Sequence, residues 1–111
     1  MNSFESKYGS CGMYYTMSVV EGKWKWIILW KIYKAGVIRY NKLKDSLHPI
    51  AHKTLSKQLK ELEANHLIHR EQYNVIPPKV EYSLTEEGKT LIPILTLMSQ
   101  WGNEHFKDRS I

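Results

Sequence analysis

"KTLSKQLKELEANHLIHREQYNVIPPKVEYSL", residues 53–84, changes its hydrophobic period halfway along, and that change decides the fold. Up to Asn65 the apolar residues Leu55, Leu59 and Leu62 recur at the spacing of one helix face. A step of about 100° per residue sets Lys53, Lys57 and Lys60 almost opposite them. Beyond Asn65 the period becomes two. "LIHREQY" and "KVEYSL" read as strands, and Val80, Tyr82 and Leu84 alternate with Lys79, Glu81 and Ser83. Between them "NVIPP" carries Pro77 and Pro78, which lack amide donors and prefer extended geometry. A stiff projecting loop is therefore expected rather than a two-residue hairpin turn.

Working outward, "MYYTMSVVEGKWKWIILWKIYKAG" predicts a short helix from about Met13 to Val20 and a break at Gly22. A second helix follows from about Lys23 to Ala35, apolar almost all round, as a central core helix would be. Gly36 suits a helix end because it tolerates positive φ. "VIRYNKLKDSL" gives a brief extended piece at Val37–Arg39 and a short helix packing Leu43 and Leu47, which Pro49 ends. On the far side, Thr85 caps one long helix whose first turn carries Glu86 and Glu87. The fold class is mainly α with a small β-hairpin. Two short helices in tandem before a two-stranded wing give the layout of a winged helix-turn-helix.

The chain of 111 residues is one domain, large enough for a core without staples. Net charge is +5, an excess that favours polyanionic partners. That charge is concentrated: residues 39–60 hold six basic side chains against Asp45 alone, and Lys23–Lys34 adds four lysines and no acid. Cys11 is the only cysteine, which excludes an intrachain disulfide and a cysteine zinc site and fits a reducing cytoplasm. No signal peptide and no membrane span are expected. Glycine-rich phosphate loops, nucleophile elbows and metalloprotease motifs are absent, so the expectation is no enzyme and no cofactor. His48 with His52, and His66 with His69, lack a carboxylate at ligand spacing, so no metal site is expected.

The sequence resembles the HxlR-type transcriptional regulators from Cys11 to Gly102. The resemblance is carried by Cys11, "GKWKWIILWKIYKAG", I-x-x-K-x-L-x-x-Q-L-K-E-L-E, "LIHRE", "PPKVEYSLTEEG" and the terminal Trp101-Gly102. It implies a homodimer that binds double-stranded DNA at a palindromic operator. The helix from about Ala51 to Ala64 would lie in the major groove, with Asn74–Lys79 as the wing. Residues 1–10 would be a flexible arm and 11–111 the domain.

Three positions depart from the family pattern. Ala51 stands where Ser or Asn is common, and cannot cap the recognition helix through its side chain. Either His52 compensates or the helix starts elsewhere. His66 stands where glycine is usual, and Asn65 is expected to take over the C-cap because it tolerates left-handed geometry. Gly12 replaces a frequent proline after the cysteine.

A lysine-backed helix is most often merely solvated; together with the family layout, its lysines are expected to face DNA. Lys53 and Lys57 would reach bases or phosphates, flanked by Thr54 and Gln58, with His52 at the helix start. Lys60, Lys79, Arg39 and Lys42 would hold adjacent backbone. The last helix shows a stripe at Leu91, Leu95 and Met98 and a second at Ile94, Leu97 and Trp101. One can pack on the winged domain; the other, with Tyr14 and Tyr15 on the first helix, is the expected dimer interface, unless a single broad core contact covers both. Cys11 is either an inert side chain or, at a helix start that favours thiolate, a redox or electrophile sensor. A small-molecule or oxidant effector fits the same reading, although Trp24, Trp30 and Trp101 are more often core than ligand box. A helical protein-interaction module with solvated lysines is the non-DNA alternative.

Overall fold

The computed structural model describes residues 11–106; the expected arm at 1–10 and the last five residues lie outside them. In chain order the elements are α1 (Gly12–Val20), α2 (Lys25–Ala35), β1 (Val37–Arg39), α3 (Tyr40–Ser46), α4 (His52–Ala64), β2 (Ile68–Tyr73), β3 (Lys79–Leu84), α5 (Glu86–Lys89) and α6 (Ile92–Phe106). The fold is a winged helix-turn-helix, with α3 and α4 in tandem and β2–β3 as the wing.

The core is assembled from the residues whose periodicity predicts it. Ile28, Leu29 and Ile32 of α2 meet Leu43 of α3 and Leu55, Leu59 and Leu62 of α4, and all are buried. Burying a leucine side chain contributes about 1.5–3 kcal/mol, so this three-helix seam dominates stability. α2 differs from expectation in two respects. It starts at Lys25, and that lysine is buried at 6% exposure inside the second basic run.

The expected hairpin is a three-stranded antiparallel sheet of order β1-β3-β2. The brief extended piece pairs Val37, Ile38 and Arg39 with Ser83, Tyr82 and Glu81, covering an edge that would otherwise stand open. Register sorts the faces. Ile68↔Leu84, Arg70↔Tyr82 and Gln72↔Val80 share the face that carries buried Ile68 and Tyr82; His69, Glu71 and Tyr73 pair with Ser83, Glu81 and Lys79 on the other face.

The helix after Thr85 is two helices. Thr85 does cap, its Oγ1 accepting from the Gly88 amide at 2.9 Å, but only a four-residue turn follows. Pro93 has no N–H to give the Lys89 carbonyl, so the ladder breaks at Thr90–Leu91 and restarts with proline in the tolerated first turn. The break lets Leu91 and Leu95 pack on the core, while Met98, expected beside them, is exposed.

At the end of α4 the left-handed residue is His66, with φ 61°, and Asn65 stays right-handed at φ −88°. His66 N–H donates to Glu63 O at 3.0 Å and Leu67 N–H to Leu62 O at 3.0 Å, the paired bonds of a Schellman end. Those bonds place His66 at the left-handed position. Asn65 instead donates its side-chain amide to Glu61 O at 3.0 Å.

Candidate nucleic-acid interface

Helix α4 presents three surfaces besides its leucine face. Lys53, Lys57 and Lys60 are exposed along its back, as the 100° step requires. Thr54, Gln58 and Glu61 form a half-buried flank on one side. His52, Ser56, Lys60 and Glu63 line the other, where an open groove of about 880 Å³ separates α4 from the wing.

That groove collects the basic residues expected to clamp a backbone, and one that was not expected. Arg39, Lys42, Lys60 and Lys79 line it together with Arg70, against Glu63 as the one lining carboxylate among the described residues. Arg70 lies two residues beyond buried Ile68, and period-two parity is the signal that turns it to the α4 side of the sheet. It donates to Gln72 Oε1 at 3.3 Å and faces Tyr82, whose titration is pushed up, chiefly by burial, despite the guanidinium nearby. Lys79 begins β3 rather than tipping the wing. Its ammonium sits 4.0 Å from Glu81 and 4.5 Å from the centre of the Tyr73 ring. The Glu81 carboxylate, chiefly, also raises the Tyr73 phenol above its ordinary value. The wing tip itself carries no cation: Val75, Ile76, Pro77 and Pro78 are exposed there.

The first turn of α4 has no side-chain cap, because Ala51 occupies the N-cap with no acceptor to offer. A lateral bond holds it instead. Tyr40 Oη lies 2.5 Å from His52 Nδ1 and 3.5 Å from Ser56 Oγ, and the Tyr40 and His52 rings meet edge to face at 5.4 Å. His52 is thus tied through its side chain to the first residue of α3, while the first-turn amides keep no side-chain acceptor. Nothing in the sequence marks Tyr40 for this role, since the two residues meet only once α3 folds against α4.

The charges on α4 run against its own dipole. Lys53 and Lys57 occupy the first half with no acid in the first turn, while Glu61 and Glu63 follow near the C-terminus with no base in the last turn. Cations at the positive end and anions at the negative end each cost about 0.3–1 kcal/mol. An arrangement that sacrifices helix stability in this way concentrates positive potential at one end, where an anionic ligand would find both lysines and unpaired amides.

The expected dimer stripe is also open. Ile94, Leu97 and Trp101 on α6 are exposed, the last two by 65% and 61%, and Met13, Tyr14, Tyr15 and Met17 are exposed on α1. Cys11 is an exposed free thiol at the N-cap of α1. No group of three or more metal-ligating side chains occurs among the described residues, and no helix among them is long and apolar enough to cross a membrane.

Known proteins share this architecture. The HxlR-like helix-turn-helix family pattern matches residues 19–110. The regulatory protein MalR of Fusobacterium mortiferum is 50% identical over 101 residues, covering 91% of this chain and 94% of that one. The HTH-type transcriptional regulator YybR of Bacillus subtilis strain 168 is 42% identical over 104 residues, 94% of this chain and 82% of its own. Among solved structures, the redox regulator HypR in its oxidized form superposes with a TM-score of 0.81 at 42% identity, covering 91% of this chain and 100% of that one. Its reduced form gives 0.80 at 42% identity over 85% and 92%. The chain belongs to the HxlR-like helix-turn-helix family of transcriptional regulators.

Proposed function

We propose that this regulator acts in the cytoplasm as a homodimer on double-stranded DNA, with α4 of each copy in the major groove of one half of a palindromic operator. The observation that carries the reading is the reversed charge of α4: three exposed lysines on its back, two of them in its positive half, beside a groove lined by five cationic side chains. Lys53 and Lys57 contact bases or phosphates, with Thr54 and Gln58 beside them and His52 at the helix start. Arg39, Lys42, Lys60, Lys79 and Arg70 hold backbone alongside. The exposed stripe of Ile94, Leu97 and Trp101, together with α1 around Tyr14 and Tyr15, forms the contact between copies, since patches this apolar are seldom left to water.

Selection of bound duplexes from a random pool tests this. A rough palindrome with half-sites about 10 base pairs apart is expected, and affinity falling with salt at about 0.9 per phosphate neutralised on a log–log plot. Lys53→Ala with Lys57→Ala weakens binding and leaves thermal stability nearly unchanged. A flat salt response, or no duplex binding at low salt, overturns the reading and leaves a protein-interaction module.

A second reading concerns control of that binding. The exposed Cys11 thiol opens α1, within the proposed dimer surface, and a structural neighbour at 42% identity is a redox regulator solved in two oxidation states. Oxidation or electrophile capture at Cys11 then changes how the copies meet, and with it the spacing of the two recognition helices. DNA binding before and after mild oxidant, in the native chain and in Cys11→Ser, decides: identical responses make Cys11 structural.

A further inference from the structure

We infer that Lys25 is a positioning residue, which holds the Glu61 carboxylate away from Lys57 and so keeps Lys57 available to a DNA phosphate. The inference rests on the DNA-binding reading above. Lys25 is the one buried charged side chain among the described residues, placed in the first turn of α2 where the helix dipole disfavours a cation. What offsets that placement is a single contact: its ammonium lies 2.9 Å from Glu61 Oε1 on the recognition helix. Glu61 faces a second cation. Lys57 lies one turn earlier on the same helix, the spacing at which side chains of opposite charge meet.

A buried lysine and an exposed one thus compete for the carboxylate, and the geometry shows which holds it. Lys57 makes no ion pair among the described residues, whereas Lys25 does. The Glu61 carboxyl is held below its ordinary value chiefly by the hydrogen bond from Lys25, and the attraction of Lys57 is the weakest of its influences. Physics favours the same partner. An unpaired ammonium in the interior is costly, whereas an exposed helix pair is worth a few tenths of a kcal/mol. Without Lys25, the nearest cation for Glu61 is Lys57, and a phosphate would have to displace a carboxylate to reach it.

The test uses the full chain and the duplex recovered by selection. Lys25→Met should lower affinity about twofold at about 0.1 M salt, the worth of one exposed helix pair, and make the salt dependence shallower, by at most about 0.9 if the phosphate contact is lost outright. Adding Glu61→Gln to Lys25→Met should restore both, because no carboxylate then competes. Weaker binding in both variants with the native slope means that Lys25 is only structural and overturns the inference. A measurement that keeps Lys25 in place stands beside these in case Lys25→Met does not fold: the Glu61 carboxyl titration followed by NMR in the native chain and in Lys57→Ala. Lys57→Ala should leave its midpoint nearly where it was, and a clear rise would show that Lys57 holds the carboxylate and overturn the inference. Failure of the native protein to bind any duplex is seen in the control and counts against the DNA reading itself, separately from the choice Glu61 makes between its lysines.

Discussion

The two ends of the recognition helix are built differently. Its C-terminal end is fixed several times over. Schellman bonds close on Leu62 and Glu63, Thr85 Oγ1 donates to the His66 carbonyl at 2.6 Å, the Thr85 amide donates to the Leu67 carbonyl at 3.1 Å, and Lys25 grips Glu61. The N-terminal end, which would meet DNA, has an uncapped first turn and one tether, the Tyr40 hydroxyl. The difference is what the proposed DNA contact would require. A helix anchored at its far end keeps its direction, while amides and cations at its near end stay unengaged until a ligand supplies partners.

The sharpest way to break that contrast is Gly88→Ala. A Cβ at this position would sit 2.0 Å from the Leu67 carbonyl oxygen, so the α5 turn and the strand entering the wing would have to separate. Overpacking against backbone costs roughly 3 kcal/mol, and a chain of this size should lose on the order of 10 °C or more in Tm. Calorimetry checks it; a loss under about 1 kcal/mol would mean that the anchored end is softer than its bonds imply. Tyr40→Phe is the counterpart at the other end. It removes the hydroxyl from His52 and Ser56, both accessible to water, so stability should fall by only about 1 kcal/mol. Amide exchange should accelerate in the first turn of α4 and stay native around Leu62–Leu67. Equal acceleration at both ends would erase the distinction.

Legibility in the sequence follows the same division between local and distant causes. The leucine face of α4, the lysines behind it, the strand parity of Val80 and Tyr82 and the Thr85 cap are readable because each depends on neighbours along the chain. The apolar stripe of Ile94, Leu97 and Trp101 is readable for the same reason, and it is exposed. Lys25 reads as one more surface lysine because its partner is 36 positions away and reaches it only after α2 packs on α4. Tyr40 carries no local signal either, since it meets His52 across a helix-turn-helix junction. The single long helix expected after Thr85 fails on a local cause instead. The missing amide of Pro93 ends one helix and opens the next.

Strengthening the reading end should come next in size. Ala51 is extended, at φ −78° and ψ 149°, the conformation from which a serine hydroxyl accepts from the amides of the first turn. Ala51→Ser should therefore raise stability by about 1 kcal/mol, measured by denaturant unfolding with unchanged m. No gain would indicate that the His52–Tyr40 bond already occupies the geometry a cap needs. Acid should act more weakly on the anchored end. The Glu61 carboxyl titrates below its ordinary value of 4.5 because of Lys25, so its contribution is complete above that value. It is lost as pH falls through the lower folded value. Glu61 is 39% exposed, which keeps the effect under about 1 kcal/mol. Comparing unfolding from about pH 6 to about pH 3 in the native chain and in Lys25→Met/Glu61→Gln should show a shallower acid limb in the variant.

The smallest expected effect lies at the position where the anchored end carries strain. His66 holds φ 61°, a conformation that costs an L-residue roughly 1–2 kcal/mol relative to glycine. Three bonds hold its backbone there: the amide to Glu63 O, the next amide to Leu62 O, and the carbonyl receiving Thr85. The side chain is exposed and makes no hydrogen bond or ion pair among the described residues, so removing it loses little. His66→Gly relieves the strain but enlarges the freedom of the unfolded chain, which takes back about 0.5–1 kcal/mol. The net gain should be about 0.5 kcal/mol, with duplex binding unaltered because the change is confined to the end remote from Lys53. A loss of stability on substitution would mean that the imidazole supports the junction directly. A change in DNA affinity would mean that the two ends of α4 are coupled more tightly than their separate tethers suggest.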